Sequence, residues 1–151
     1  MGTTREELRL PKLRNSKFSM VTTVVACVAA ILLTCKVGKT SEAYFGGMVV
    51  NDGLTKFFRY FFYFTAAVSS YVAFGSNEIE TKSRMEFSLL LLCTTIGMGV
   101  MAASTNLLVL YMGIEMVSIV SFVMAGFKRD NLRSNEASFK YLVFGGVASA
   151  L

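Results

Sequence analysis

The chain has 151 residues, of which 54% are hydrophobic, and a mean hydropathy of +0.55, values typical of an integral membrane protein. It contains no histidine, which excludes a histidine-ligated zinc or haem site formed by this chain alone. The net charge of +5 does not indicate nucleic-acid binding, because the basic residues stand at the ends of apolar runs instead of forming a stripe.

The apolar runs predict an all-α fold, a polytopic transmembrane helix bundle. A polar, basic segment over residues 1–17 precedes a transmembrane domain over residues 18–151. Five spans are predicted in this domain, over residues 18–35, 54–74, 86–103, 106–127 and 136–151. Ser104 and Thr105 form a very short break, which predicts a helical hairpin within the membrane.

Residues 43–50, between the first two spans, are half apolar and predict a short extended or re-entrant piece. Small residues four positions apart predict close helix contacts at Gly99 with Ala103 and at Gly145 with Ser149. A hydroxyl side chain before the last span, Ser134, predicts its N-cap.

The distribution of charge predicts the orientation of the bundle. With five spans, the N-terminal segment and the loop over residues 128–135 lie on one side, and both carry an excess of basic residues. The connector over residues 36–53, on the other side, is neutral. The positive-inside rule therefore places the N-terminus on the matrix or cytoplasmic side.

Glu115 is an acid near the middle of the fourth apolar run. An acid at the centre of a membrane helix costs roughly 2.5–3.5 kcal/mol, so it usually faces a protein interior or a water-filled path and indicates ion or proton handling. Tyr111 and Ser118 share its helical face, and both can hydrogen-bond a carboxyl group. The alternative is a structural carboxyl satisfied by a neighbouring helix.

Three other charged residues are candidates for the same chemistry. Lys140 lies one turn beyond Glu136, and is either a cation in a proton path or an interfacial lysine paired with Glu136. Glu86 opens the third span, where it can cap the helix N-terminus or take part in transport. Nucleotide-binding, nucleophile-elbow and clustered-carboxylate metal motifs are absent, so the sequence predicts no nucleotide binding or redox chemistry by this chain alone.

Three stretches carry a resemblance to a known family. They are Phe-Gly-Gly-Met-Val-Val-Asn-Asp-Gly-Leu over residues 45–54, Ala-Ser-Thr-Asn-Leu-Leu-Val-Leu-Tyr-Met-Gly-Ile-Glu-Met-Val-Ser over residues 103–118, and Glu-Ala-Ser-Phe-Lys-Tyr over residues 136–141. Together they resemble NADH dehydrogenase subunit 2, the antiporter-like membrane subunit of respiratory complex I, which is also related to cation/proton antiporter subunits.

The resemblance implies roles for the charged residues. Glu115 matches a glutamate implicated in proton translocation, and Lys140, Glu136 and Glu86 match further charges of the same family. The chain would then be a non-redox subunit of a proton-translocating NADH:ubiquinone reductase. NADH, FMN, iron–sulfur clusters and ubiquinone would be bound by other subunits, and the partners would be membrane lipid and the other membrane-arm subunits.

The subunits of this family have many more helices. The chain therefore resembles the N-terminal part of a split subunit completed by a second polypeptide, with a truncated sequence as the alternative. The resemblance implies the mitochondrial inner membrane, with a bacterial or plastid membrane as the alternative. Two other functions stay open: a subunit of a cation/proton antiporter or hydrogenase-type complex, and a structural or assembly subunit without a transport role.

Overall fold

The computed structural model describes residues 5–36, 42–76, 79 and 83–150, with side chains from residue 21 onward except that of Glu42. Over these residues the chain forms five helices and one hairpin, which confirms the predicted all-α class. The elements in chain order are α1 (Arg5–Lys36), β1 (Glu42–Tyr44), β2 (Val49–Asn51), α2 (Gly53–Gly75), α3 (Arg84–Ala103), α4 (Leu107–Ala125) and α5 (Leu132–Ala150).

The extended piece predicted over residues 43–50 is an antiparallel hairpin of β1 and β2. The turn between the strands needs positive φ angles, which Gly46 (67°) and Gly47 (90°) adopt without the steric penalty of a side chain. Phe45 also has a positive φ of 54°, and its side chain is exposed at the tip. The Gly-Gly pair therefore explains why the connector folds back here.

The hairpin is attached to the turn between α3 and α4. The Thr105 amide donates to the Met48 carbonyl at 3.0 Å, and Val49 forms a β-bridge with Ser104. Asn106 then begins α4, because its side-chain oxygen accepts from the Leu108 amide at 2.8 Å and satisfies a free donor of the first turn. The predicted break at Ser104 and Thr105 is confirmed.

The helices pack through small side chains. α3 contacts α1, α2 and α4, and α5 packs against α4. The buried residues of α1, α2 and α3 are small or carry hydroxyl groups, whereas large apolar side chains such as Leu33, Phe64 and Leu108 point outward. This inside-out pattern is typical of helices that face lipid, where close backbone approach drives association.

Two helix starts differ from the predicted spans. α1 begins at Arg5, so the polar N-terminal segment and the first predicted span are parts of one helix. α5 begins at Leu132 rather than at residue 136, and the prediction that Ser134 is its N-cap is wrong. The Asn131 side chain accepts from the Arg133 amide at 3.0 Å, while the Ser134 hydroxyl donates to the Ala125 carbonyl of α4.

Of the described helices, α3 and α4 are long and apolar enough by themselves to cross a bilayer. The apolar part of α1, Val21–Lys36, is shorter. The five predicted spans as a set stay a prediction.

Candidate functional site

Glu115 lies near the middle of α4, half-buried. At 1.5 Å per residue it is about 12 Å along the axis from Leu107 and about 15 Å from Ala125. α4 is one of the two described helices that are long and apolar enough to cross a bilayer. In a bilayer-crossing helix, this mid-helix position is the depth at which a charge is most costly.

Tyr111 and Glu115 interact through their side chains, one helical turn apart. The phenol can donate to a carboxylate and accept from a carboxylic acid, so it suits both protonation states of Glu115. Ser118, the second predicted supporting residue, is half-buried on the same helical face. Within the part of the chain that the structure describes, its hydroxyl makes no hydrogen bond to Glu115.

The backbone at Glu115 is held by close packing against α3. A Cβ atom added at Gly113 would lie 2.6 Å from Met101 Cγ and 3.2 Å from the Met101 backbone nitrogen. A Cβ atom at Gly97 would lie 2.8 Å from a methyl group of Val117. Helices α3 and α4 therefore touch on the face of α4 turned away from Glu115, which leaves the carboxyl on the other side.

Helix α5 lies on the side of α4 that carries Glu115. The Ser138 hydroxyl donates to the Phe122 carbonyl at 2.8 Å, and the Phe122 and Tyr141 rings pack edge to face with centroids 4.8 Å apart. A Cβ atom at Gly145 would overlap the Phe122 ring. In this antiparallel register, Glu115 lies at about the depth of Gly145 and Gly146, and Lys140 about 9 Å nearer the α4–α5 loop.

Lys140 pairs with Glu136 at 2.5 Å, one turn earlier on α5. Their side chains are 64% and 63% exposed. Because α5 contacts α4 through Ser134, Ser138 and Tyr141, helical periodicity places the ion pair on the opposite face. The structure thus joins Lys140 to Glu136 and turns both away from Glu115.

Glu86 lies in the first turn of α3, and its carboxylate meets the Arg129 guanidinium of the α4–α5 loop at 3.5 Å. Arg129 was not predicted as this partner, although the basic composition of the α4–α5 loop was a signal for it. The pair is exposed and lies at the loop end of α4. The second half of α4, about 15 Å long, therefore separates it from Glu115.

The described residues contain no group of three or more Cys, Asp or Glu side chains that could hold a metal ion. The arrangement consists of one mid-helix acid with a tyrosine and two ion pairs, one on the outer face of α5 and one at the loop end. Acids and bases of this kind can bind and release protons, and the described residues do not link the three sets to each other.

Residues 104–151 match the family described as NADH:quinone oxidoreductase/Mrp antiporter, TM. The chain is 36% identical over 111 residues to NADH-quinone oxidoreductase subunit N of Anaeromyxobacter sp. (strain Fw109-5), which covers 74% of the chain and 21% of that protein. It is 35% identical over 133 residues to subunit N 2 of Rhizobium meliloti (strain 1021), covering 88% of the chain and 27% of the relative. It is 39% identical over 107 residues to subunit N of Parvibaculum lavamentivorans, covering 71% of the chain and 22% of the relative.

The chain thus spans between a fifth and about a quarter of the length of these curated relatives. The matched region includes α4, α5 and the loop between them, which carry Glu115, Arg129 and the Glu136–Lys140 pair.

Proposed function

We propose that this chain is part of the proton-translocating membrane arm of an NADH:quinone oxidoreductase. The premise is that the chain is related in sequence to the antiporter-like transmembrane subunits of such complexes. The proposal gives the chain a role in moving protons and none in oxidising NADH. The redox groups and the quinone would be held by other subunits.

The observation that carries the proposal is the position of Glu115. It stands in the middle of an apolar helix, half-buried, with the Tyr111 hydroxyl beside it. An acid at the centre of a membrane helix costs roughly 2.5–3.5 kcal/mol, and such a side chain usually lines an ion or proton path. We infer that Glu115 carries a proton along the translocation path.

The two ion pairs have supporting roles in this proposal. The Glu86–Arg129 pair stands at the loop end of the bundle, where a proton can exchange with water. Lys140 and Glu136 form a second pair at an intermediate depth on the outer face of α5. Since neither pair touches Glu115, water or groups outside the described residues would complete a Glu/Lys relay.

We further propose that the membrane is the mitochondrial inner membrane and that the N-terminus is on the matrix side. The basic N-terminal segment and the basic α4–α5 loop support this orientation. The relatives named above come from bacteria, so a bacterial plasma membrane is the competing location. Protease protection of an N-terminal epitope in sealed inner-membrane vesicles of each orientation tests the side.

The experiment that tests the proton role is Glu115→Gln in the intact complex, with Glu115→Asp as the matched control that keeps a carboxyl group. We expect Glu115→Gln to lower the ratio of protons pumped to NADH oxidised, and Glu115→Asp to retain more of it. Both are measured by acidification of inverted vesicles, normalised to assembled complex on native gels. An unchanged ratio in assembled Glu115→Gln complex would refute the role of Glu115 and favour a purely structural subunit.

A second candidate function follows from the family description, which also names Mrp antiporters. The chain would then belong to a stand-alone cation/proton antiporter complex. Cation-driven proton movement in vesicles without NADH, lost in Glu115→Gln, would favour this function. Co-purification with redox subunits would favour the first.

A further inference from the structure

A cleft of about 340 Å³ opens between the first turns of α3 and the end of α4. Its walls are apolar, formed by Leu89, Leu90 and Cys93 of α3 and by Val123 and Phe127 at the end of α4. The Phe87 and Phe127 rings pack edge to face at 5.6 Å and strengthen one wall. Cys93 is two turns below the mouth, so the cleft extends about 10 Å along the helices.

The mouth of the cleft is charged. Arg129 and Glu86 line it, and their side chains are 83% and 58% exposed. The ion pair between them is long, at 3.5 Å, and exposed pairs of this kind contribute only about 0–1 kcal/mol. The guanidinium can therefore turn to a stronger acceptor at small cost. Lys128 of the same loop and Arg133 in the first turn of α5 are also basic, and Asp130 of the loop is acidic.

We propose that this cleft holds one anionic phospholipid, with an acyl chain along Leu89, Leu90 and Val123 and the phosphate bound by Arg129. Three features select this occupant. The cleft is apolar along its length, and its mouth stands at the end of a helix long and apolar enough to cross a bilayer, where lipid headgroups lie. The α4–α5 loop beside the mouth carries two basic residues, Lys128 and Arg129, against one acid, Asp130. Arginine suits a phosphate because it can donate two parallel hydrogen bonds.

Glu86 should affect lipid binding in the direction opposite to Arg129. Its carboxylate competes with the phosphate for the Arg129 guanidinium and repels a negative headgroup. Removing the negative charge of Glu86 should tighten lipid binding, and removing the positive charge of Arg129 should weaken it. A cleft that merely collects bulk lipid would respond to neither change.

The chain contains its own reporter, because Cys93 lines the cleft while Cys35 is exposed elsewhere on α1 and Cys27 is buried. The full chain is placed in phosphatidylcholine nanodiscs with increasing phosphatidylglycerol, and maleimide labelling of each cysteine is followed by mass spectrometry. We expect phosphatidylglycerol to slow labelling of Cys93 and to leave Cys35 unchanged.

Variants then identify the headgroup contact. One basic residue near a headgroup contributes about 1 kcal/mol, so Arg129→Gln should require about fivefold more phosphatidylglycerol for half-protection. Glu86→Gln should require less, and Arg59→Gln, which removes the same charge from α2 near the hairpin end, should match the parent chain. Inorganic phosphate at millimolar concentration should not protect Cys93.

A larger side chain that fills the cleft tests the acyl-chain contact separately from the headgroup contact. Val123→Trp should block the cleft and abolish the lipid dependence of Cys93 labelling, whereas Val147→Trp on exposed α5 surface should not. Equal protection by phosphatidylcholine and phosphatidylglycerol, or equal effects of Arg129→Gln and Arg59→Gln, would overturn the proposal. Neither result bears on Glu115, so failure here is distinct from failure of the proton role.

Discussion

The close approach of α3 and α4 predicts that Gly113→Ala destabilises the chain although alanine is the better helix former. The added Cβ would lie 2.6 Å from Met101 Cγ, 3.2 Å from the Met101 nitrogen and 3.3 Å from the Gly97 carbonyl oxygen. Ordinary carbon contacts are about 3.5–4.0 Å. The Met101 side chain can rotate, but the two backbone atoms can give way only if the helices separate.

The magnitude follows from comparison with Gly99→Ala on α3, where no heavy atom lies within 4 Å of the added Cβ. Each substitution gains about 1 kcal/mol of helix propensity, so this gain cancels between the two variants. What remains is the cost of overpacking, about 1–3 kcal/mol. We therefore expect Gly113→Ala to be about 1–3 kcal/mol less stable than Gly99→Ala.

The assay is reversible unfolding of the full chain in mixed micelles with increasing sodium dodecyl sulfate, followed by far-UV circular dichroism. Equal stability of the two alanine variants would contradict the close approach of these helices. Gly145→Ala gives a further comparison, since its Cβ meets the outer atoms of the Phe122 ring, which can turn away more cheaply than backbone.

Two other predictions concern the hairpin. Thr55→Val should destabilise the chain by about 1–3 kcal/mol. The reason is that the buried Thr55 hydroxyl lies 3.2 Å from the Val50 carbonyl oxygen and 3.0 Å from the Ala102 carbonyl oxygen. The control Thr65→Val loses a hydrogen bond only to its own helix, so it should cost less in the same unfolding assay. The Thr55 amide donates to Asp52 and lowers the pKa of that carboxyl group below its ordinary value. Because the folded pKa is below the unfolded one, the cap stabilises α2 above the unfolded pKa and loses this effect as the pH falls through the folded pKa. The protection of the first turn of α2 against hydrogen exchange, relative to the intrinsic exchange rate at each pH, should therefore fall at acidic pH. Asp52→Asn, which keeps an acceptor, should remove that acid dependence. The same acid dependence in Asp52→Asn would contradict the assignment.

Features that depend on nearby residues were predicted from the sequence. The break at Ser104 and Thr105 is followed by Asn106, a good N-cap, so two apolar runs became two helices with a tight turn. The two glycines after Phe45 allowed the hairpin. The isolation of Glu115 in an apolar run was equally visible, because it depends only on which residues surround it in the chain.

Features that depend on the register between helices were not predicted. Gly99 was expected to make a close helix contact, yet it faces open space, and the contact is made by Gly97 and Gly113 instead. A run of small residues shows that close packing is possible on one face, but the opposing helix decides which face is used. The prediction for Gly145 is confirmed, because the Phe122 ring packs against it.

The start of α5 shows a competition that sequence spacing could not resolve. Asn131 and Ser134 are both good N-cap residues. The Ser134 hydroxyl donates to the Ala125 carbonyl at the end of α4, so Asn131 caps the helix instead. The pairing of Glu86 with Arg129 likewise depends on the tertiary fold, since the two residues are 43 positions apart.

The ion pair on α5 gives a last prediction, which concerns what covers that face of the helix. Because Glu136 and Lys140 are 63% and 64% exposed, a double-mutant cycle of Glu136→Gln and Lys140→Gln in the isolated chain should give a coupling below about 1 kcal/mol. In the assembled complex, a helix of another polypeptide lying on this face would exclude water, and the coupling should rise to several kcal/mol. A large coupling already present in the isolated chain would contradict the placement of the pair on the outer face. A small coupling in both states would mean that Lys140 stays in contact with water, and a relay between Lys140 and Glu115 would then have to pass around α5.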